Sequence, residues 1–590
     1  MSKDWRISNL QSVIYRRVIL CVAGSHQLVT NGCMHVDAVK AQSSTTEPLR
    51  QNHTWITTLD RYPLGVCLTL FGIATAVNLY KPFHIDDTYH LEAAQWIQQQ
   101  PLRPMSGQIN WYQHKEPMYQ ANQPPLYFYL IAAVGSLFGY AEVSLHLMQA
   151  FFTFLAIYFF QQIARLLRVE NGGLLTAFFT LSPAFLVSQN LMVDVPLVAL
   201  MLAFFYVLLT PRMPTDRMRY LLAGATLSVS LLIKYSSIPL VVVLLVIILF
   251  RKHYAYLWAV LIPIGVLAVW SYANLQEYGS IHLLDRPRAS WSFGRFAHTI
   301  KMLLIGLGAI SPFTLLFYLG LIRRQRSPPT AWVVLPLGGM VGFVMATYTQ
   351  VISEQVAYRL LYGLFLLNGL GLLGLTTRRG KDVVMAVRTG HKPDEPPFVF
   401  LLWVGSVATF MVLFSPFMAT RHILLMLPPM LFLCAPLLKR VPSAIAAFGV
   451  GFAFCLGVML AVSDWCYADF YRQTAREIRK QLPSDRRVWA LGHWGWQWYA
   501  TQAGMQPYES GLSPLKTGDY VVIPLGVDRQ TLSADVRTRV VKRIVPNGTL
   551  LTFFSTGHVA RFYAGTSWHL TRAPIDTVVI YEVAGRYPKP

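Results

Sequence analysis

Two adjacent carboxylates, Asp86 and Asp87, stand in 84-HIDDTYHLEAAQWI-97, directly after the first long apolar run of the chain. Aspartate costs about 2.5–3.5 kcal/mol at the centre of a membrane helix on insertion scales, so acids in an apolar chain gather where there is water, a partner or chemistry. One carboxylate of such a pair can act as general base toward an acceptor hydroxyl or amine while its neighbour orients it. The same residues precede a helical stretch, 88–98, and capping of its free N–H groups accounts for at least one of them. A third aspartate, Asp194, lies between two apolar runs in 190-NLMVDVPLVAL-200, where Asp before Val-Pro also marks a helix start. Four basic residues, Lys234, Arg359, Arg421 and His422, fall near the ends of apolar runs. Such a set suits a phosphate or pyrophosphate at headgroup depth. The plainer reading of each alone is a long side chain reaching to the interface. Tyr89, His90, Asn122, Gln123 and Glu354 complete the residues expected at a substrate cavity. His84, His90, His114 and His282 match no metal spacing and read as structural, which calls for no cofactor and leaves a divalent metal open. The tryptophans of 491-LGHWGWQWYA-500 read as packing rather than as a sugar platform.

The elements that must position these residues are membrane helices. The chain has 590 residues, of which 54% are hydrophobic and 13% charged, with a mean hydropathy of +0.41. Soluble proteins carry about 25% charged residues, so composition places this chain in the bilayer. The net charge of +22 sits in short clusters between apolar runs, the pattern of cytoplasmic loops. No basic stripe with interleaved aromatics points to nucleic acid. The six cysteines include no C-x-x-C and no disulfide framework.

Apolar runs at 63–80, 143–163, 172–191, 195–210, 254–272, 300–321, 331–347, 357–376, 398–416, 420–438 and 443–463 are candidate spans. Keeping every cationic cluster on one side resolves two ambiguous segments. The stretch 124-PPLYFYLIAAVGSLF-138 reads as an interfacial helix, and 220–250 as two short helices turning at 234-KYSS-237. About thirteen spans result, with the N-terminus inside and the C-terminus outside. Three regions follow. Residues 1–60 are a polar cytoplasmic tail, 61–464 a transmembrane catalytic domain whose first outer loop is 83–142, and 465–590 an extracytoplasmic α/β domain. In the last, 468-ADFYRQTAREIRKQL-482 has helical spacing, and 487–492, 519–525, 549–555 and 577–583 read as strands.

With these elements in order, the chain resembles the polytopic GT-C glycosyltransferases of the protein O-mannosyltransferase and bacterial aminoarabinose transferase type. The resemblance rests on 85-IDDTYHLEAA-94, 122-NQPPLYFYL-130, 193-VDVPL-197 and 420-TRHILLMLPPM-430, and covers roughly 60–440. It implies a thirteen-span GT-C fold and inverting transfer from a polyprenyl-phosphate sugar to a lipid, glycan or protein acceptor at the outer face of the inner or plasma membrane. Asp86 matches the family's base, Asp194 its second outer-face acid, and Arg421 the arginine of a late Arg-Tyr-Leu-like motif, with His422 in place of the tyrosine. Asn122-Gln123 stands where members often carry Glu-Lys or His-His, so the resemblance brings no metal or phosphate contact to those two positions. Two other classes compete: a carrier or flippase of lipid-linked sugars, and a non-catalytic membrane scaffold. Carriers usually show internal repeats and charges near the midplane, and this chain shows neither.

Overall fold

In the computed structural model, residues 59–121, 123–286, 291–322, 331–389, 391–557, 561–565 and 567–587 are described. The 1–60 tail therefore lies almost wholly outside the described residues. Among the described residues seven helices are long and apolar enough to cross a membrane, and shorter apolar helices such as Pro63–Asn78, Asp194–Leu209 and Tyr235–Phe250 accompany them. The protein is a multi-pass, mostly helical membrane protein with a β-containing C-terminal part.

The segment 216–250 is two helices, Asp216–Ile233 and Pro239–Phe250, joined by a single 3-10 turn at Tyr235–Ser237. Pro239 cannot donate a backbone hydrogen bond and sets the start of the second helix. Helix Leu126–Phe138 has 13 residues, about 20 Å, which falls short of the roughly 30 Å apolar core.

Three expected spans take a different form. The run 172–191 is not one helix but Gly172–Thr180 and Pro183–Val187, followed by non-helical residues 188–193. Pro183 breaks the helix, and Ser182 caps the second piece through its Oγ, 3.3 Å from Phe185 N. The run 300–321 is likewise two helices, Phe293–Ile310 and Thr314–Ile322, parted at 311-SPF-313. The last span does not stop at 463. Ser443–Gln481 is one 39-residue helix, so the boundary expected at 464/465 falls inside it. No proline or glycine occurs between 458 and 481 to end the helix.

Close helix crossing depends on small residues. A Cβ at Gly308 would lie 1.8 Å from Phe365 O, and one at Gly369 would lie 1.8 Å from Leu304 O, so Phe293–Ile310 and Glu354–Arg388 meet backbone to backbone.

Beyond residue 481 a five-stranded mixed sheet forms in the order Gln506–Pro507, Val488–Ala490, Tyr520–Pro524, Val578–Arg586, Val536–Ile544. The first three strands are parallel and the last two pairings antiparallel. Strand Val536–Ile544 was not expected. It is a sheet edge with mostly exposed, Arg- and Lys-bearing positions, so it lacks the apolar alternation that marks a strand. The expected strand 549–555 is instead a 3-10 turn and a two-residue strand, Phe554–Ser555, paired with His569–Leu570.

Candidate active site

The acidic pair sits in a tight turn at the end of helix Pro63–Asn78. Ile85, a β-branched residue, has φ +51°, in the left-handed region. Such backbone costs on the order of 1–3 kcal/mol and persists only where the surroundings impose it. Here Ile85 is buried in a cluster that includes Leu186, Val187 and Met192. The C-terminal part clamps the turn from another side. Tyr499 OH accepts from Phe83 N at 2.7 Å, and Thr88 Oγ1 donates to Trp494 O at 2.5 Å. A Cβ on Gly495 would lie 2.4 Å from Phe83 O, so only glycine admits this approach. Trp496 and Trp498 are buried in the same packing.

The turn sends the two carboxylates opposite ways. Asp87 points inward, and its Oδ2 accepts from His84 N at 2.8 Å. Burial pushes its carboxyl up to about 8, so at neutral pH it keeps its proton. Asp86 is the N-cap of helix Asp87–Gln99, yet its side chain makes no cap bond and remains 30% exposed. Its Oδ2 accepts instead from Arg421 Nη1 at 2.7 Å.

Arg421 joins the acids. Its Nε lies 3.8 Å from Asp194 Oδ2, and Asp194 Oδ1 accepts from Lys234 Nζ at 2.6 Å. Asp86, Arg421, Asp194 and Lys234 thus form one neutral chain of alternating charge at one end of the helices. Asp194 begins helix Asp194–Leu209, Lys234 begins the 3-10 turn, and Arg421 lies in the short helix Thr420–Ile423. His422 packs on Phe417 with ring centroids 5.2 Å apart. Three buried polar atoms of this short helix make no hydrogen bond, Thr420 Oγ1, Arg421 Nε and His422 Nδ1.

The non-helical residues before Asp194 explain its position. Unpaired backbone survives at membrane depth only where protein takes its polar groups. Asn78 Nδ2 donates to Leu186 O at 3.0 Å, Lys81 Nζ to Val187 O at 3.3 Å and Gln149 Nε2 to Met192 O at 3.4 Å, while His90 Nδ1 meets Leu191 O.

Other expected residues lie elsewhere. Arg359 is exposed, with no ion pair to the cluster among the described residues. A position one turn into helix Glu354–Arg388 leaves its side chain turned from the bundle. Glu354 accepts from Thr571 Oγ1 at 2.7 Å and Arg572 N at 2.6 Å, so it ties the C-terminal part to that helix instead of lining a cavity. Tyr89 and His90 are buried as wall residues. Tyr89 OH donates to Met118 O at 2.8 Å, and His90 stacks on Phe128 at 5.0 Å. Gln123 is partly buried, and Asn122 lies outside the described residues. Among the described residues no three His, Cys, Asp or Glu side chains converge as metal ligands.

Sequence reasoning missed a second, sealed network behind the turn. Lys81 pairs with Asp464 and meets Asn190 Oδ1; Asp464 also accepts from Thr556 Oγ1 at 2.8 Å and Tyr563 OH at 2.6 Å. Asn190 Nδ2 donates to Tyr563 OH at 3.1 Å, and His84 Nε2 lies 3.7 Å from Asp464. Lys81 and Asp464 are 1% and 0% exposed. A lysine just past an apolar run and an aspartate near the end of another were the available signals. Arg286 was missed too; it acts on Lys234, Tyr112 and Tyr235 across the gap from the loop after helix Trp258–Tyr278.

Residues 122–272 match the family model described as dolichyl-phosphate-mannose-protein mannosyltransferase. The match includes Asp194 and Lys234 and excludes Asp86 and Arg421. No curated protein matches the chain in sequence. Among solved structures, ArnT from Cupriavidus metallidurans bound to undecaprenyl phosphate is similar at 12% identity and a TM-score of 0.45, over 91% of this chain and 99% of that one. The archaeal oligosaccharyltransferase AglB from Archaeoglobus fulgidus, in complex with an inhibitory peptide and a dolichol-phosphate, is similar at 11% identity and a TM-score of 0.42, over 76% of this chain and 64% of that one. The stretch similar to that family model is about a quarter of the chain.

Proposed function

We propose that the protein transfers a sugar from a polyprenyl-phosphate donor to an acceptor on the extracytoplasmic face of the membrane, with inversion at the anomeric carbon. The observation that carries this reading is Arg421 held between a part-exposed Asp86 and a buried Asp194. The matched family's dolichyl-phosphate-mannose supplies the donor class.

Asp86, Arg421, Asp194 and Lys234 sum to zero charge, so a donor phosphate enters as the unbalanced group. The free Arg421 Nε–H and His422 face it, and Lys234 lies one residue pair away on Asp194. An apolar groove of about 1070 Å³, which begins at Ile238 and Pro239 just after Lys234 and runs along helix Glu395–Phe414, accommodates the isoprenoid tail. As the phosphate draws Arg421 toward itself, Asp86 is released to take the acceptor proton. The acceptor oxygen or nitrogen bonds to the anomeric carbon, and the bond from that carbon to the phosphate oxygen breaks. The electron pair leaves on polyprenyl phosphate, and Arg421 and Lys234 stabilise the charge it gains. No second acid is required, because phosphate leaves without protonation. Asp87 holds its own proton at neutral pH and shapes the turn rather than acting as base.

The test is transfer by the full chain in nanodiscs from radiolabelled polyprenyl-phosphate sugars, with the product anomer read by NMR. The expected product has the configuration opposite to the donor's. A retained configuration, or no transfer from any donor in a mannose, glucose, galactose, arabinose and aminoarabinose panel, overturns the reading.

A further inference from the structure

A second polar opening adjoins the charge cluster. It is a cleft of about 720 Å³ between the 103–120 part of the first loop and the end of helix Trp258–Tyr278 with the turn that follows. Its walls are fixed. Tyr119 and Tyr278 pack with ring centroids 4.4 Å apart, Tyr119 OH donates to Ser280 O at 2.8 Å, and Tyr278 OH accepts from Met105 N at 3.1 Å. The cleft connects to the cluster through its aromatic wall. On one side Tyr119 touches His282 at 5.2 Å, and His282 Nδ1 lies 2.9 Å from the hydroxyl of Tyr235, the neighbour of Lys234. On the other, half-exposed Tyr112 lines the cleft; burial and the Glu116 carboxylate raise its phenol against the opposing pull of Arg286.

The charges in the cleft select its ligand. Arg103 is neutralised by Glu277. Glu116 and Asp285 pair with no cation among the described residues. The cluster beside it gathers cations for an anion, whereas here Glu116 and Asp285 outnumber the one further cation nearby, Arg286, which acts on the Tyr112 phenol, so the cleft keeps a negative balance that disfavours an anion. An apolar lipid would strand its carboxylates, amides and hydroxyls without water or partners. Carboxylates that accept two hydroxyl hydrogens, next to rigid tyrosine faces, suit the vicinal diols and CH faces of sugar rings. We infer that this cleft holds the acceptor and that the acceptor is a neutral carbohydrate chain. The inference rests on the glycosyl-transfer reading above and names the second substrate of that site.

The test uses the full chain in nanodiscs and fluorescence anisotropy of end-labelled neutral gluco-, manno- and galacto-tetrasaccharides. A sulfated tetrasaccharide and a neutral Ser/Thr-rich peptide serve as competitors for the same cleft. At least one neutral tetrasaccharide is expected to bind. Glu116→Gln with Asp285→Asn, or Tyr112→Phe with Tyr119→Phe, should weaken it about tenfold or more, as expected for lost charge-assisted hydrogen bonds. Binding of only the peptide or only the sulfated sugar overturns the inference, and so does neutral binding that both double variants leave intact or no binding at all. Cleft-dependent capture of a tetrasaccharide that never receives a sugar would leave this assignment standing and sink the transfer reading. Transfer to the peptide without capture of any tetrasaccharide would do the reverse.

Discussion

Asp86 and Asp87 are consecutive, of one residue type and on one turn, yet they serve two different networks. Asp86 opens onto a cluster with Arg421, Asp194 and Lys234, in which a guanidinium N–H remains unpartnered. Asp87 faces the sealed group of Lys81, His84, Asn190, Asp464 and Tyr563, where the central ion pair is closed to solvent. The open network reaches solvent through the part-exposed Asp86 carboxylate. In the sealed one Lys81 and Asp464 offset their desolvation through the bonds they make to each other, Thr556 and Tyr563, while the His84 ring and Asp87 Oδ1 stay buried without hydrogen bonds, so its work is to hold the strained turn in place.

The contrast breaks most sharply at Asp86. Asp86→Asn is expected to lower transfer by about 10²–10⁴-fold, the range of a lost general base, while the melting temperature in detergent stays near wild type. Unchanged transfer removes Asp86 from the chemistry. The opposite pattern is expected at the sealed pair. Lys81→Met leaves Asp464 buried without its cation and should destabilise the fold by about 3–5 kcal/mol, read as a collapse in monodisperse yield and melting temperature. A fully stable Lys81→Met protein would mean the pair does not hold the turn.

A smaller loss is expected from Tyr563→Phe, which removes hydrogen bonds to Asp464 and Asn190. It should cost about 1–3 kcal/mol in thermal stability and leave the KM for donor unchanged at permissive temperature. A large rise in KM would place Tyr563 in the open network instead.

Asp87→Asn sharpens the comparison through pH. The folded carboxyl is raised from 3.8 to about 8, so the native state binds the extra proton between those values. Stability from this group is full below pH 4 and is lost as pH rises toward and through 8. The asparagine variant should flatten that decline in a melting-temperature profile from pH 4 to 9. An identical slope in both proteins would show that Asp87 is ionised when folded. Arg359→Ala is expected to change neither transfer nor melting, since its side chain is exposed and apart from both networks.

Much of this was legible in the chain. Apolar runs bounded by cationic clusters marked a polytopic membrane protein, because insertion energy is summed locally along each segment. Parity of those clusters also split 220–250 at 234-KYSS-237, and Pro239 fixed where the second helix begins. Asp86, Asp194, Lys234 and Arg421 stood out as costly charges at the ends of apolar runs, and they meet in space. Tertiary structure alone decided which carboxylate of the pair is open, since Ile85 takes its left-handed backbone within a buried cluster that draws Leu186, Val187 and Met192 from a distant stretch. It also decided that Arg359 and Glu354 stand apart, and that Lys81 finds its partner 383 residues away in Asp464. A charge's price in the bilayer is written in its own segment, whereas its partner depends on how segments pack, and one-dimensional order does not contain that packing.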